Sequence, residues 1–394
     1  MPERLHVRMR GRSADEAHRA STPFELLFDL VFVVAVASAV AQLAHAIVIG
    51  QLGDRIGPFL MVFFAIWWAW MNFTWFSSGY DTDDVVYRLL GLVQMIGVVV
   101  IAASVPTTFE AADYRATVVG YIIMRLGLVA LWVRAAIEHP ETRAVSSRYA
   151  IGIVAAQGLW LLRLLLPNEW STVSFAVIAV VELGVPLWAN RAGRDPWHPG
   201  HIAERYGLFV IILLGEGVLA ATSGVQTALA ASGLSPGLIA VGVAGLAILF
   251  GLWWVYFLQP SAEGLRRHRS RSFYWGYGHY LLFAAIAAVG AGLEVAVEAV
   301  GHPHEISDAV AGWAVAVPLA AVLVLIWVLH RPLVERSEVP AVAALPAAGL
   351  MLLAPLTAPL LGLVGVAVLL VVLLAAVIVV TLWRPSRAAA RSSA

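Results

Sequence analysis

The chain alternates long apolar runs with short polar turns, and few segments show the mixed patterning of a soluble domain. A helix needs about 20 apolar residues to cross a hydrocarbon core of roughly 30 Å. Twelve stretches meet or approach that length, near 24–48, 58–79, 86–106, 114–136, 147–166, 170–189, 201–223, 236–258, 273–299, 310–329, 340–360 and 362–383. The eleventh is the weakest, because Pro346, Pro355 and Pro359 interrupt it; a kinked or partly re-entrant segment is the alternative there. Open sheet edges cannot face lipid, so the spans are read as helices. The pattern predicts an all-α polytopic protein of about 12 transmembrane helices, with the lipid bilayer as its constant partner. Residues 1–20 and 384–394 are polar tails, and the first is expected to be disordered. The basic leader and Ala37-Ser38-Ala39 look like parts of a signal peptide. The leader runs over twenty residues, however, and Asp29 interrupts the apolar run, so the first span is expected to be retained.

Composition sharpens the class. Hydrophobic residues make up 61% and charged residues 13%, against roughly 45–50% and 25% in ordinary soluble chains. The 25 basic residues are all arginine, and 25 acids balance them. That excludes a polybasic nucleic-acid binder, and the apolar surface excludes an acidic disordered chain. With no cysteine, thiolate, disulfide and cysteine-zinc chemistry are excluded too. The arginines also orient the chain. With the N-terminus inside, only Arg55, Arg115 and Arg163 fall outside, Arg125 lies within a span, and the other 21 are inside. Positive charge accumulates on the cytoplasmic side of bacterial inner-membrane proteins, so both termini are expected there.

The two halves resemble each other. Glu25 opens the first span and Glu204 the seventh; Trp67-Trp68-Ala69-Trp70 matches Trp253-Trp254-Val255-Tyr256, and Tyr87 to Gly91 matches Tyr274 to Gly278. The near-constant offset suggests a parallel six-plus-six repeat, with residues 21–190 as the first and 191–383 as the second. Transporters of this design bind substrate between the halves.

Charge inside the membrane is expensive and faces a bundle interior or a watery cavity. Arg125 lies 11 residues past Tyr114, Glu182 12 past Trp170 and Glu216 12 past Glu204, roughly 16–18 Å along each helix at 1.5 Å per residue. Arg125 can neutralise one acid, and the other is then a candidate proton carrier. A static ion pair bracing two helices is the plainer reading. Gln94 and His279 occupy nearly equivalent places in the two halves and join the solute-site candidates. They, Asn72 and Gln157 are otherwise expected to bond neighbouring helices.

A second constellation lies at the cytoplasmic ends of spans one and seven. Glu25 and Asp29 share a helix face, and His201, Glu204 and Arg205 form the matching group after Pro199-Gly200. These five are candidates for a cytoplasmic gate, with plain capping and ion pairing as the alternative. His198, His201 and Glu204 have a loose metal-ligand spacing that Pro199 and Gly200 break, so neither metal nor cofactor is expected. His302, His304, Glu305 and Asp308 read as a solvated loop, and Trp170, Trp188, Trp197, Trp275 and Trp383 as an interfacial belt. Gly50 to Gly57 imitates the loop motif of major facilitator transporters, but it follows the wrong span and lacks the basic residues after its last glycine.

Several blocks resemble one family. Thr22-Pro23-Phe24-Glu25-Leu26-Leu27-Phe28-Asp29-Leu30-Val31-Phe32-Val33 is similar to the opening signature of the bacterial low temperature requirement protein A family. Trp67 to Trp70 and Asp81-Thr82-Asp83-Asp84 leading to Arg88-Leu89-Leu90 resemble its next blocks. His201-Ile202-Ala203-Glu204-Arg205-Tyr206-Gly207-Leu208-Phe209, ending in Leu214-Gly215-Glu216, resembles a second signature. The resemblance implies a bacterial integral membrane protein, tied by the family's name to growth in the cold, whose molecular activity is unsettled. It places Glu25, Asp29, His201, Glu204, Arg205 and Glu216 in family motifs, but not Arg125 or Glu182.

The leading reading is a secondary transporter or permease for an unknown solute, with proton coupling as an option. The P-loop pattern is absent, which argues against direct ATP drive. The alternatives are a membrane-embedded lipid-modifying enzyme, for which no nucleophile is evident, and a non-transporting envelope protein for cold adaptation.

Overall fold

The computed structural model describes the chain except residues 1–4, 14–15, 17–18, 194, 303–305, 335–337 and 384–394. Arg4, Arg194, His304, Glu305, Arg336, Arg384, Arg387, Arg391 and the C-terminal tail therefore lie outside the described residues. The described residues are α-helical with short 3-10 turns and no strands. In order the helices are α1 (Pro23–Val48), α2 (Leu52–Tyr80), α3 (Val85–Ala111), α4 (Arg115–Glu138), α5 (Arg143–Arg163), α6 (Ser171–Ala189) and α7 (Pro199–Ser232). Then follow α8 (Pro236–Phe257), α9 (Ser261–Arg267), α10 (Ser272–Gly301), α11 (Asp308–His330), α12 (Ala341–Leu353) and α13 (Ala358–Leu382). Among the described residues, 11 helical stretches are long and apolar enough to cross a membrane.

The expected twelve spans become eleven because Ala341–Leu382 reads as one stretch of 42 residues. Straight, it would reach about 60 Å, twice a bilayer core. It is broken by a 3-10 turn over Ala354–Thr357 and again at Gly362, whose φ of 65° only glycine adopts freely. The backbone groups freed there find partners on α11. Asp308 accepts from the Leu363 N–H at 3.1 Å, and Trp313 Nε1 donates to the Leu352 carbonyl at 3.2 Å. Asp308 is thus a cap for α13 rather than part of a merely solvated loop.

Two compact units form. One holds residues 1–42 and 53–208, the other 43–52 and 209–394. In the first, α3 packs on α4, α4 on α5 and α5 on α6. Helices α3 and α4 touch backbone to backbone: a Cβ on Gly97 would lie 2.5 Å from the Gly120 carbonyl oxygen. In the second, α10 packs on α11, and α13 on α8 and α11.

Helix α4 shows how the sequence sorts its faces. Val119, Leu126 and Val133, seven apart, are exposed, whereas Tyr121, Arg125, Leu128 and Trp132 are buried. Apolar side chains outward with polar ones inward is the arrangement a bilayer demands. Trp170, Trp188 and Trp383 are exposed near helix ends as a belt requires, but Trp197 and Trp275 are not. Trp197 packs edge-on against Trp75, and Trp275 lies over His279. Their aromatic neighbours hold them in the core.

The described part of the N-terminal segment is tied down rather than free. The Val7 N–H donates to Asp84 at 2.7 Å and the Met9 N–H to Glu138 at 2.5 Å. Arg134 binds Asp84 and the Val7 carbonyl. The Arg12 N–H donates to the Gly79 carbonyl at 2.9 Å. Burial alone would raise the Asp84 carboxyl, but Arg134 and the N–H groups of Val7 and Tyr87 hold it at about 2.

Candidate functional site

In the first unit, the N-terminal ends of α1 and α7 meet in a buried charge cluster. Thr22 and Glu25 cap α1 reciprocally: the Glu25 N–H donates to Thr22 Oγ1 at 3.2 Å and the Thr22 N–H to Glu25 Oε2 at 2.9 Å. The cap fixes the Glu25 carboxylate, whose other oxygen lies 3.0 Å from Arg205 Nη1. Arg205 also grips Asp29, with Nε donating to Oδ2 at 3.1 Å and Nη2 to Oδ1. Trp70 Nε1 on α2 donates to Asp29 at 2.7 Å. His201 Nε2 meets Glu25 at 3.2 Å, and its Nδ1 is buried with no hydrogen-bond partner among the described residues. Glu25, Asp29, His201 and Arg205 are all at most 1% exposed. The four are neutral together with His201 protonated and singly negative with it neutral.

A polar rim surrounds the cluster. Arg19 donates to the Ser77 carbonyl at 2.6 Å and to that of Ser78, closing the last turn of α2. It lies 3.8 Å from Asp81, whose carboxyl is pushed up to about 6 by burial and by Glu25. Glu204 does not join the buried four; it is half-buried and accepts from the Ser21 N–H at 3.0 Å. His198 likewise has protein partners: its Nδ1 accepts from the His201 N–H and its Nε2 donates to the Glu16 carbonyl. Among the described residues, no group of three or more His, Cys, Asp or Glu side chains is placed to hold a metal ion.

Asp195, just before α7, is buried with Oδ1 unpartnered among the described residues, and burial pushes its carboxyl up to about 7. The folded protein then holds a proton on Asp195 that the unfolded chain releases near its ordinary value of 3.8. Its contribution to stability is therefore greatest below about pH 4 and declines as pH rises to about 7. Asp195→Asn is expected to melt near the wild-type temperature at pH 4.5 and above it at pH 8. Thermal denaturation at the two pH values checks this.

The second constellation centres on Glu182 of α6. Its Oε2 accepts from Tyr121 at 3.0 Å, from Arg125 at 3.2 Å and from Trp68; its Oε1 accepts from Trp160 at 3.0 Å and Gln157 at 3.2 Å. Arg125 is therefore the partner of Glu182, and both are buried. A carboxylate offers about four lone-pair sites. Five donors from α2, α4 and α5 fill them, and no lone pair is left over for a mobile proton. The arrangement suits a brace. The ring donors Trp68, Trp160 and Tyr121 had no signal in the sequence, since spacing shows a helix face but not the helix it meets.

Glu216 is different. It lies on α7 in the second unit, 5% exposed, and its Oε2 is buried with no hydrogen-bond partner among the described residues. Helix α10 crosses close by: a Cβ on Gly217 would lie 3.6 Å from the Gly290 Cα, and one on Gly224 3.2 Å from the Glu294 carbonyl oxygen. Glu294, four residues before Glu298 on α10, stands within electrostatic reach of Glu216. Sequence reading passed over it, although two acids one turn apart in an apolar span were a signal.

The remaining candidates are engaged locally. Gln94 Nε2 donates to the Leu90 carbonyl at 3.4 Å, and His279 Nδ1 to the Trp275 carbonyl at 2.7 Å, each four residues back. Asn72 also bonds its own helix, at Trp68, whereas Gln157 reaches Glu182 on α6. His279 Nε2 accepts from Tyr256 at 3.2 Å. The matched Trp pairs of the two halves differ in setting: Trp67 and Trp68 are buried, Trp253 and Trp254 exposed.

Comparison with known proteins gives three results. The model of the family described as Bacterial low temperature requirement A protein (LtrA) matches residues 20–380. The chain is similar to Uncharacterized protein RA0937 of Rhizobium meliloti (strain 1021), with 27% identity over 317 residues, covering 76% of this chain and 73% of that one. No solved structure matches.

Proposed function

The chain belongs to the bacterial low temperature requirement A family, and from that premise we propose that it is a proton-coupled secondary transporter or permease for a small solute. The carrying observation is Glu216, a carboxyl at mid-span with one buried oxygen that has no hydrogen-bond partner among the described residues, within electrostatic reach of a second acid, Glu294. Ionisable groups in membrane spans mark ion and proton paths. A buried acid without a counter-charge is neutralised by a proton or by an incoming cation, which is what a coupling site does.

The other candidates take supporting roles in this reading. Glu182 with Arg125 is a fixed brace. Glu25, Asp29, His201 and Arg205 form the gate, with Glu204 holding the N-terminal segment beside it. Gln94 bonds its own helix, and His279 bonds both its own helix and Tyr256 of α8. The arginine asymmetry supports cytoplasmic termini in the bacterial inner membrane. The sequence pattern supports two six-helix repeats, with the broken stretch Ala341–Leu382 accounting for two crossings.

Proton uptake into liposomes holding the purified protein tests the proposal. With a mixture of candidate solutes supplied, wild-type protein is expected to carry protons down a gradient and Glu216→Gln to lose that flux, while both remain folded by circular dichroism. Equal uptake removes Glu216 from the path.

A further inference from the structure

At the end of the first unit formed by the α3–α4 and α5–α6 turns, a cleft of about 330 Å³ opens to the surroundings. Arg163, the last residue of α5, lines it and is 6% exposed. Its guanidinium lies 4.3 Å from the Tyr114 ring centre, 5.8 Å from that of Trp160 and 6.0 Å from that of Phe175. Nη2 donates to Ser171 Oγ at 2.7 Å and to the Ser171 carbonyl at 3.2 Å. Among the described residues, Nε is buried with no hydrogen-bond partner, and no carboxylate forms an ion pair with Arg163.

This is a buried cation without a counter-charge. Aromatic faces offset part of its desolvation. An isolated buried charge is nevertheless costly, and guanidinium chemistry matches carboxylate and phosphate oxygens. Arg115 adds a second positive charge to the same cleft; Asp113, also at the cleft, has Oδ1 engaged by the Arg115 N–H at 3.0 Å. A narrow apolar slot of about 30 Å³, bounded by Met61, Val62, Val118 and Phe175, continues from Tyr114 and Arg163.

We propose that this cleft is an oxyanion-binding site, in which a carboxylate or phosphate neutralises Arg163 while a small apolar group enters the slot. The oxyanion comes from a dissolved organic acid or from a lipid headgroup. The site is independent of transport, because binding alone satisfies the charge.

The test uses the full-length protein in phosphatidylcholine nanodiscs at constant ionic strength. Three probes are compared by thermal shift: sodium butanoate, inorganic phosphate, and phosphatidylglycerol added to the disc. At least one is expected to raise the melting temperature of the wild type, with binding weakened about tenfold or more in Arg163→Gln. Stabilisation by a soluble probe identifies a dissolved anion; stabilisation by phosphatidylglycerol alone identifies a headgroup. Arg163→Lys keeps the charge but loses the planar fork, and it is expected to bind more weakly than wild type even if Arg163→Gln does not fold. No shift with any probe, or wild-type affinity in the Lys variant, overturns the proposal.

Discussion

Arg205→Leu is expected to destabilise the protein by about 3–5 kcal/mol, the usual cost of removing one partner from a buried ion pair. Glu25 and Asp29 face this guanidinium, and both are buried. Without it, the two carboxylates keep His201, Trp70 and the Thr22 N–H as donors but lose their fixed counter-charge. Arg205→Lys is expected to fall between. An ammonium lacks the fork that spans Asp29 through Nε and Nη2 while Nη1 meets Glu25. The double variant Arg205→Leu with Asp29→Leu should recover part of the loss, because it removes one stranded charge. Thermal unfolding of the four proteins in one detergent measures the order. A Leu variant as stable as wild type would mean that the cluster contributes nothing to holding α1 against α7.

Glu182→Leu should be comparably severe, at about 3–5 kcal/mol, and for a different reason. It strands Arg125 as a buried charge and leaves Trp68, Tyr121, Trp160 and Gln157 without their shared acceptor. Glu182→Gln is expected to be damaging as well. An amide has one acceptor oxygen, so its NH2 group must point at donors already directed there. Replacing Arg125 and Glu182 together by Leu restores charge balance but not the ring donors, so recovery should be partial. If the single and double variants melt together, the ion pair adds nothing beyond its neighbours.

The helices and the chemistry at their ends were largely legible in the chain. Apolar length placed most spans, and four-residue spacing put Glu25 and Asp29 on one face. Partners were harder. Arg125, Glu182 and Glu216 share a depth, but depth along a helix carries no information about azimuth, so the choice of Glu182 needed packing. Trp275 sits at a helix end like a belt residue yet is fully buried against His279, because a ring with one polar tip suits either setting. The N-terminal segment looked unstructured by composition. The order of its described residues around Val7 and Met9 comes from backbone N–H groups meeting Asp84 and Glu138 across long sequence separations, which no local pattern reports. Glu204 matches Glu25 in sequence position, but α7 turns its carboxylate toward Ser21 and away from the buried four.

The intramembrane acids divide by their partners. Glu182 is saturated with donors, and Glu216 has a buried oxygen with no hydrogen-bond partner among the described residues, within electrostatic reach of Glu294. Net proton flux follows that division most directly. Liposomes carrying an internal pH dye and equal amounts of folded wild type, Glu216→Gln or Glu294→Gln are placed in an inward proton gradient. With a mixture of candidate solutes supplied outside, this division predicts fast acidification with wild type, none above protein-free liposomes with Glu216→Gln, and a reduced rate with Glu294→Gln. Acidification by Glu216→Gln at the wild-type rate would contradict it.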